Sequence, residues 1–173
     1  MKELPTRKKI RLDGYDYSRN GVYFITVCVQ HKHEILGLVV VGANMVRPSE
    51  VALSDIGMVV DTAIRKIGEI YQDVHVDKYV IMPNHIHMIL AIDNTDGRTM
   101  CAPTVSRIVK HCKEYVTKQI GFSVWQKSYH DHIIRDEEEY HAIWRYMDEN
   151  PAKWPEDDYF IKSDSQLIFI KVR

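Results

Sequence analysis

Val74-His-Val-Asp-Lys-Tyr-Val-Ile-Met82-Pro83-Asn84-His85-Ile86-His87-Met-Ile-Leu-Ala-Ile92 is two strand-like runs joined by a two-residue break. Proline lacks a backbone donor and asparagine tolerates a turn, so 74–82 and 85–92 are expected to form an antiparallel pair. Residues two apart in a strand share a face, which points His85 and His87 the same way out of an otherwise apolar strand. Two imidazoles on a half-buried face need a hydrogen-bond acceptor, a metal or a charged ligand. On its own the pair fits structural histidines as well as metal ligands.

Upstream, Gly21-Val-Tyr-Phe-Ile-Thr-Val-Cys-Val29 follows a turn-like Ser18-Arg-Asn-Gly21 and is apolar at nearly every position, as in a central strand covered on both faces. Leu36 to Val41 reads as a hairpin return, and the stretch containing Pro48 as an irregular connection. Ser54 and Asp55 offer an N-cap to Ile56, Val59, Val60, Ala63, Ile64, Ile67 and Ile70, whose spacing of three and four predicts an amphipathic helix over 54–71. Beyond the hairpin, 94–97 is a loop, 104–120 a second helix stopped by Gly121, and Tyr129 to Arg135 a strand. Asp136-Glu-Glu-Glu139 places acids at the start of a last helix, which ends at Asn150-Pro151 because a residue before proline leaves helical geometry.

The order strand, helix, strand, strand, helix, strand, helix predicts an α+β, ferredoxin-like split βαβ sandwich: an antiparallel sheet with helices on one face, plus a C-terminal helix. One domain is expected over 21–154, between a basic arm at 1–20 and a mixed tail at 155–173 whose Leu167 to Val172 run reads as a short extra strand or a partner contact.

At 173 residues and 45% hydrophobic content the chain builds one core. Its net charge of -1 excludes a general polycation, so a nucleic-acid partner must be met by a local basic patch. Two stretches offer one: the arm with Arg7, Lys8 and Lys9, and the helix face with Arg107, Lys110, Lys113 and Lys118. Both also fit ordinary solvated surface. Cys28, Cys101 and Cys112 are odd in number, lack CxxC spacing and follow no cleavable apolar leader, which fits reduced thiols in a cytoplasm. No apolar run approaches the roughly 20 residues of a bilayer span, so no membrane partner is expected.

On the last helix, at about 100° per residue, Tyr140, Ile143, Trp144 and Met147 form one apolar stripe, while Tyr146 and Asn150 lie on the adjacent one. A tyrosine and an amide at i and i+4 reach the same point, one as an oxygen nucleophile and the other as a carbonyl ligand. A tyrosine at a core rim with an asparagine C-cap fits the same spacing.

Three blocks in order now coincide: Met82-Pro-Asn-His85-Ile-His87, Trp125-Gln-Lys-Ser-Tyr-His-Asp-His-Ile-Ile-Arg135, and Glu139-Tyr-His-Ala-Ile-Trp-Arg-Tyr146-Met-Asp-Glu-Asn150-Pro151-Ala-Lys-Trp154. Over residues 20 to 154 the chain resembles the IS200-type single-tyrosine transposases of the HUH endonuclease class, and within them the REP-associated branch. The resemblance implies His85 and His87 as ligands of a divalent cation, Mg2+ or Mn2+, Asn150 as the third ligand, and Tyr146 as the nucleophile attacking a DNA phosphodiester. It implies a 5′-phosphotyrosine, a free 3′-hydroxyl, and rejoining by reversal. It places His130, His132, Asp131 and Arg135 in a supporting element beside the site.

The expected partner is single-stranded or hairpin DNA, with Trp125, Tyr129 and Tyr23 as candidate base platforms or core residues. Homodimer and monomer both occur among such proteins, so Tyr146 could act in cis or in trans. The acids Glu137 to Glu139 and Glu156 to Asp158 are expected to lie off the DNA path, and a nucleoid-associated enzyme is expected. The rivals are a noncatalytic DNA-binding regulator on the same sheet and a hydrolase built from His85, His87, His130 and His132.

Overall fold

The computed structural model describes residues 19–40, 50–93 and 103–161. In chain order the strands are β1 (Gly21–Cys28), β2 (Gly37–Val40), β3 (Glu50–Leu53), β4 (Val74–Met82), β5 (His85–Ile92) and β6 (His130–Ile134). The helices are α1 (Asp55–Ile70), α2 (Val105–Ile120) and α3 (Glu137–Glu149), with single 3-10 turns at Gln30–Lys32 and Trp154–Glu156.

Four strands make one sheet in the order β4-β5-β1-β6, and every neighbouring pair is antiparallel. With β2 and β3 set aside, this is the predicted split βαβ order, and β1 lies inside the sheet as its unbroken apolarity requires. Pro83 and Asn84 form the two-residue turn, with Met82 paired to His85.

The two faces of the sheet are covered differently. Tyr23, Ile25, Val27, Ile86, Met88 and Leu90 pack with the apolar sides of α1 and α2. Their alternates Ile89 and Ile134, with Val22, Phe24 and Val80, meet Met147, Tyr140, Ile143 and Trp144 of α3. The Tyr140 to Met147 stripe is therefore the buried side of α3.

Each helix start carries a side-chain cap. Ser54 Oγ accepts from Gly57 N at 3.1 Å, Thr104 Oγ1 from Arg107 N at 3.3 Å, and Asp136 Oδ1 from Glu139 N at 2.8 Å, each satisfying an orphan amide. Gly121, at φ 82°, ends α2 in the left-handed region that favours glycine.

Two expectations are corrected. The run after Leu36 does not return to β1; it pairs as β2 with Glu50–Leu53 in a separate two-stranded sheet. The stretch read as irregular thus ends in β3, whose four residues are too few for alternation to register against Pro48. The first residues of the expected tail, 155–161, turn back onto the β4–β5 hairpin, as described below. The expected strand at Leu167 to Val172 and the arm at 1–18 lie outside the described residues.

Candidate active site

His85, His87 and Ile89 share the β5 face that looks toward α3, and both imidazoles are essentially without solvent exposure. Their outer nitrogens are individually anchored. Asn84 Nδ2 donates to Tyr159 O at 2.8 Å and to Lys32 O at 3.2 Å, which turns Asn84 Oδ1 toward His85 Nδ1 at 2.9 Å. An amide oxygen only accepts, so His85 Nδ1 carries the hydrogen and neutral His85 presents a bare lone pair at Nε2.

Thr26 Oγ1 lies 2.8 Å from His87 Nδ1, and Thr26 is the residue of β1 directly opposite His87. A hydroxyl can donate or accept, so it tolerates either tautomer of His87. The ring of Phe24 stacks on His87 with centroids 5.0 Å apart.

The two Nε2 atoms are 3.0 Å apart. One tautomer of His87 lets its Nε2–H donate to His85 Nε2. The other leaves two lone pairs facing one point, an arrangement that a cation stabilises. Ligand bonds of about 2.1 Å meeting at a right angle separate two nitrogens by roughly 3.0 Å, so the pair fits a metal without rearrangement. Burial holds His85 down to about 3, with the nearby Lys32 charge adding to the effect. His87 is lowered strongly by burial and then by His85. At neutral pH both are uncharged, the form that ligates.

α3 completes the arrangement from across the sheet face. Tyr146 Oη lies 3.3 Å from His87 Nε2 of the same chain, and its ring stands edge-on to Phe24. Burial pushes the Tyr146 phenol up to about 12, followed by the charge of Asp157 and by Tyr159 and Asp158, while a hydrogen bond with Asn150 opposes them. Asn150 is buried, its Nδ2 donates to Asp157 Oδ2 at 2.6 Å, and its Oδ1 has no partner among the described residues. A buried, orphaned amide oxygen is a donor that suits a divalent cation.

The segment after α3 lies across the pair. Tyr159 stacks obliquely on His85 with centroids 4.5 Å apart, and Trp154 approaches the same ring at 5.9 Å. Asp157 places a carboxylate oxygen in one group with a ring nitrogen of His85 and of His87, all within 4.8 Å of one another. Asp157, one of the acids expected to lie off the DNA path, thus sits beside the histidine pair.

Asn84, Thr26, Phe24, Lys32, Asp157 and Tyr159 were not singled out as site residues from the sequence. Thr26 carried a usable signal, as the one aliphatic hydroxyl in the apolar β1. Asp157 carried none, since an acid after Pro155 in an aperiodic run looks like solvated surface.

Other expected site residues sit elsewhere. His130 and His132 share the α3 face of β6, in register with Thr26 and Phe24. His132 is engaged by Glu139 Oε1 at 2.6 Å, and the other oxygen of that carboxylate accepts from Arg135 N at 2.8 Å. These contacts brace the start of α3. Asp131 alternates onto the opposite face, with one buried, unpartnered oxygen. Trp125, Tyr129 and Tyr23 are buried in the α1–α2 core, so their ring faces are closed to a base.

The basic face of α2 divides. Arg107, Lys110 and Lys118 are exposed, although Lys110 pairs with Glu114 at 3.5 Å. Lys113 is spent on Gln126 O and Ser128 O, each at 2.9 Å, which makes it a clasp between α2 and the following loop. α2 covers the sheet face opposite the imidazoles. Arg7, Lys8 and Lys9 lie outside the described residues.

No protein-family model matches the chain. An uncharacterized protein of Haemophilus influenzae is 31% identical over 175 residues, covering 90% of this chain and 93% of its own. A solved structure of a REP-associated tyrosine transposase bound to a REP hairpin matches with a TM-score of 0.60 at 21% identity, over 83% of this chain and 74% of that one. At that identity the likeness is one of fold. Among the described residues no helix is long and apolar enough to cross a membrane.

Proposed function

We propose that this chain, which belongs to one family with the Haemophilus influenzae protein and has the fold of the IS200-type single-tyrosine transposases, is a DNA transposase that nicks and rejoins single strands. The observation that carries this reading is the phenol of Tyr146 lying 3.3 Å from His87 Nε2, beside a pair of neutral imidazoles whose Nε2 atoms are 3.0 Å apart.

Tyr146 Oη is the nucleophile. It forms a bond to a strand phosphorus, the bond from that phosphorus to the 3′ oxygen breaks, and the 3′ oxygen leaves as a hydroxyl. The product is a 5′-phosphotyrosine, and attack by a 3′-hydroxyl reverses the step without nucleotide energy. His85, His87 and Asn150 Oδ1 would hold Mg2+ or Mn2+, which when bound supplies Lewis-acid stabilisation of the charge gathering on the phosphate oxygens.

Asn84 and Thr26 keep the two imidazoles aimed at a single point, so little reorganisation is required on binding. Phe24 backs His87 and edges the Tyr146 ring, holding the phenol in line. A phenol near 12 keeps its proton at neutral pH, so the nucleophile stays silent until positive charge is placed beside it. That property suits an enzyme whose uncontrolled action would damage DNA.

The substrate follows from access. A phosphate that must reach a buried pair of imidazoles has to arrive with its neighbours splayed, which a single strand or the foot of a hairpin permits and a continuous duplex does not. The hairpin carried by the solved transposase gives that choice its precedent. Backbone contacts near the cut are left to the arm with Arg7, Lys8 and Lys9, because Arg107, Lys110 and Lys118 stand on the side of the sheet away from the imidazoles. The catalytic unit extends over 21–161, and the expected place of action is the bacterial nucleoid.

The test is incubation with end-labelled hairpin DNA and Mn2+, followed by denaturing gel electrophoresis. A covalent adduct that disappears in Tyr146→Phe and in His87→Ala is the expected result. Tight binding with no adduct in the wild type would establish the noncatalytic regulator instead. Turnover that survives Tyr146→Phe would establish the hydrolase, a reading the engagement of His132 by Glu139 already disfavours.

A further inference from the structure

We infer that Asp157 is an anionic ligand at the His85–His87 centre, delivered by the turn that follows α3 and aimed by Asn150. The inference rests on the metal reading above and deepens it: the segment after the tyrosine helix becomes part of the metal site rather than a tail.

Four contacts fix the segment. Asn150 Nδ2 donates to Asp157 Oδ2 at 2.6 Å, and Tyr159 N donates to Asp157 Oδ1 at 2.7 Å. Asn84 Nδ2 donates to Tyr159 O at 2.8 Å, and Lys32 Nζ donates to Asp158 O at 3.0 Å. The same asparagine that sets the His85 tautomer thus ties down the neighbour of the carboxylate.

The result is an acid beside two neutral imidazoles, with a carboxylate oxygen and a ring nitrogen of each histidine all within 4.8 Å of one another. An anion at a partly closed site is costly unless a cation shares it. The one lysine in the cluster, Lys32, directs its ammonium to a backbone carbonyl instead. Two ring nitrogens and one carboxylate oxygen make a mixed nitrogen and oxygen set.

Asn150 then has a second task. Its amide hydrogens orient the carboxylate, so it is a positioning residue for Asp157 as well as a candidate donor. The two imidazole nitrogens in the set favour Mn2+ over the harder, more reluctantly dehydrated Mg2+.

The probe is Mn2+ alone, titrated calorimetrically into the full chain, with thermal melts as the folding control. Wild type is expected to bind one Mn2+, His87→Ala to lose it, and the nearly isosteric Asp157→Asn to weaken it at least tenfold. Asp157→Glu is expected to recover part of the affinity. Wild-type affinity in Asp157→Asn overturns the inference while leaving the histidine site intact. Unchanged Mn2+ affinity with faster hairpin cleavage in Asp157→Ala also overturns it, since the acid would then be occupying the place of the phosphate. Absence of Mn2+ binding in the wild type brings down the metal reading and the inference together. An Asp157-dependent Mn2+ site in a chain that forms no DNA adduct sustains the inference and defeats the transposase reading alone.

Discussion

A single hydrogen decides what His85 can do. Because the Asn84 oxygen accepts at Nδ1, the lone pair of the neutral ring faces inward, and burial keeps it there by holding the imidazole down to about 3. Unfolding restores a group that protonates below about 6.5. The folded chain declines that proton until about pH 3, so acid favours the unfolded state. Stability present in full above pH 6.5 therefore falls across the window between, by about 1.4 kcal/mol per pH unit for this residue. His87 acts in the same direction. We expect the urea midpoint of metal-free protein to drop between pH 7 and pH 5, by about 2 kcal/mol of stability from His85 alone, and the drop to shrink in His85→Gln.

Legibility at this scale follows local spacing. His85 and His87 are visible because a strand has period two, and Tyr146 with Asn150 because a helix brings i and i+4 together. Thr26 and Asp157 reach the site only through pairing and a chain reversal, which no local period encodes. Trp125 misleads for a related reason, since an aromatic that packs and one that stacks on a base have the same letter.

Among the elements, the junction between the small sheet and α1 is the tightest. Gly57 sits in the first turn of α1 where an added Cβ would stand 2.0 Å from Leu36 O. That carbonyl already accepts from Ser54 N at 2.9 Å, and Leu36 N donates to Pro83 O at 2.9 Å, at the tip of the histidine hairpin. Gly57→Ala must push backbone against backbone, and we expect a loss above about 3 kcal/mol in chemical denaturation, with weakened Mn2+ binding because the hairpin tip moves with Leu36. The elements themselves were readable where they are long. α1, α2, α3 and the central strands span eight or more residues with clear periodicity. β3 has four residues, and its partner β2 is chosen by tertiary contact that overrides the proline-containing surroundings.

For the molecule as a whole, the Tyr146 phenol and His87 of one chain already meet, at 3.3 Å. Exchange of the tyrosine helix between subunits is therefore not required. Mixing His87→Ala with Tyr146→Phe protein is expected to leave hairpin cleavage at background, whereas a trans site would restore up to a quarter of wild-type adduct in statistically mixed dimers. The α+β architecture was legible as a whole because element order and the adjacency rules leave few sheet orders open. The position of the basic residues was not. A helical wheel shows which side of α2 is charged, but only the sheet reveals that this side is across the molecule from the imidazoles.

The site draws on β1, on the β4–β5 hairpin, on α3 and on the turn at Asp157, so its parts are separated by most of the chain. During synthesis the sheet strands β1, β4 and β5 leave the ribosome well before Tyr146 and Asp157. A nascent polypeptide that ends before α3 can therefore carry both histidines and still lack the phenol and the carboxylate that meet them, so the site closes only once the segment up to Asp157 has been made.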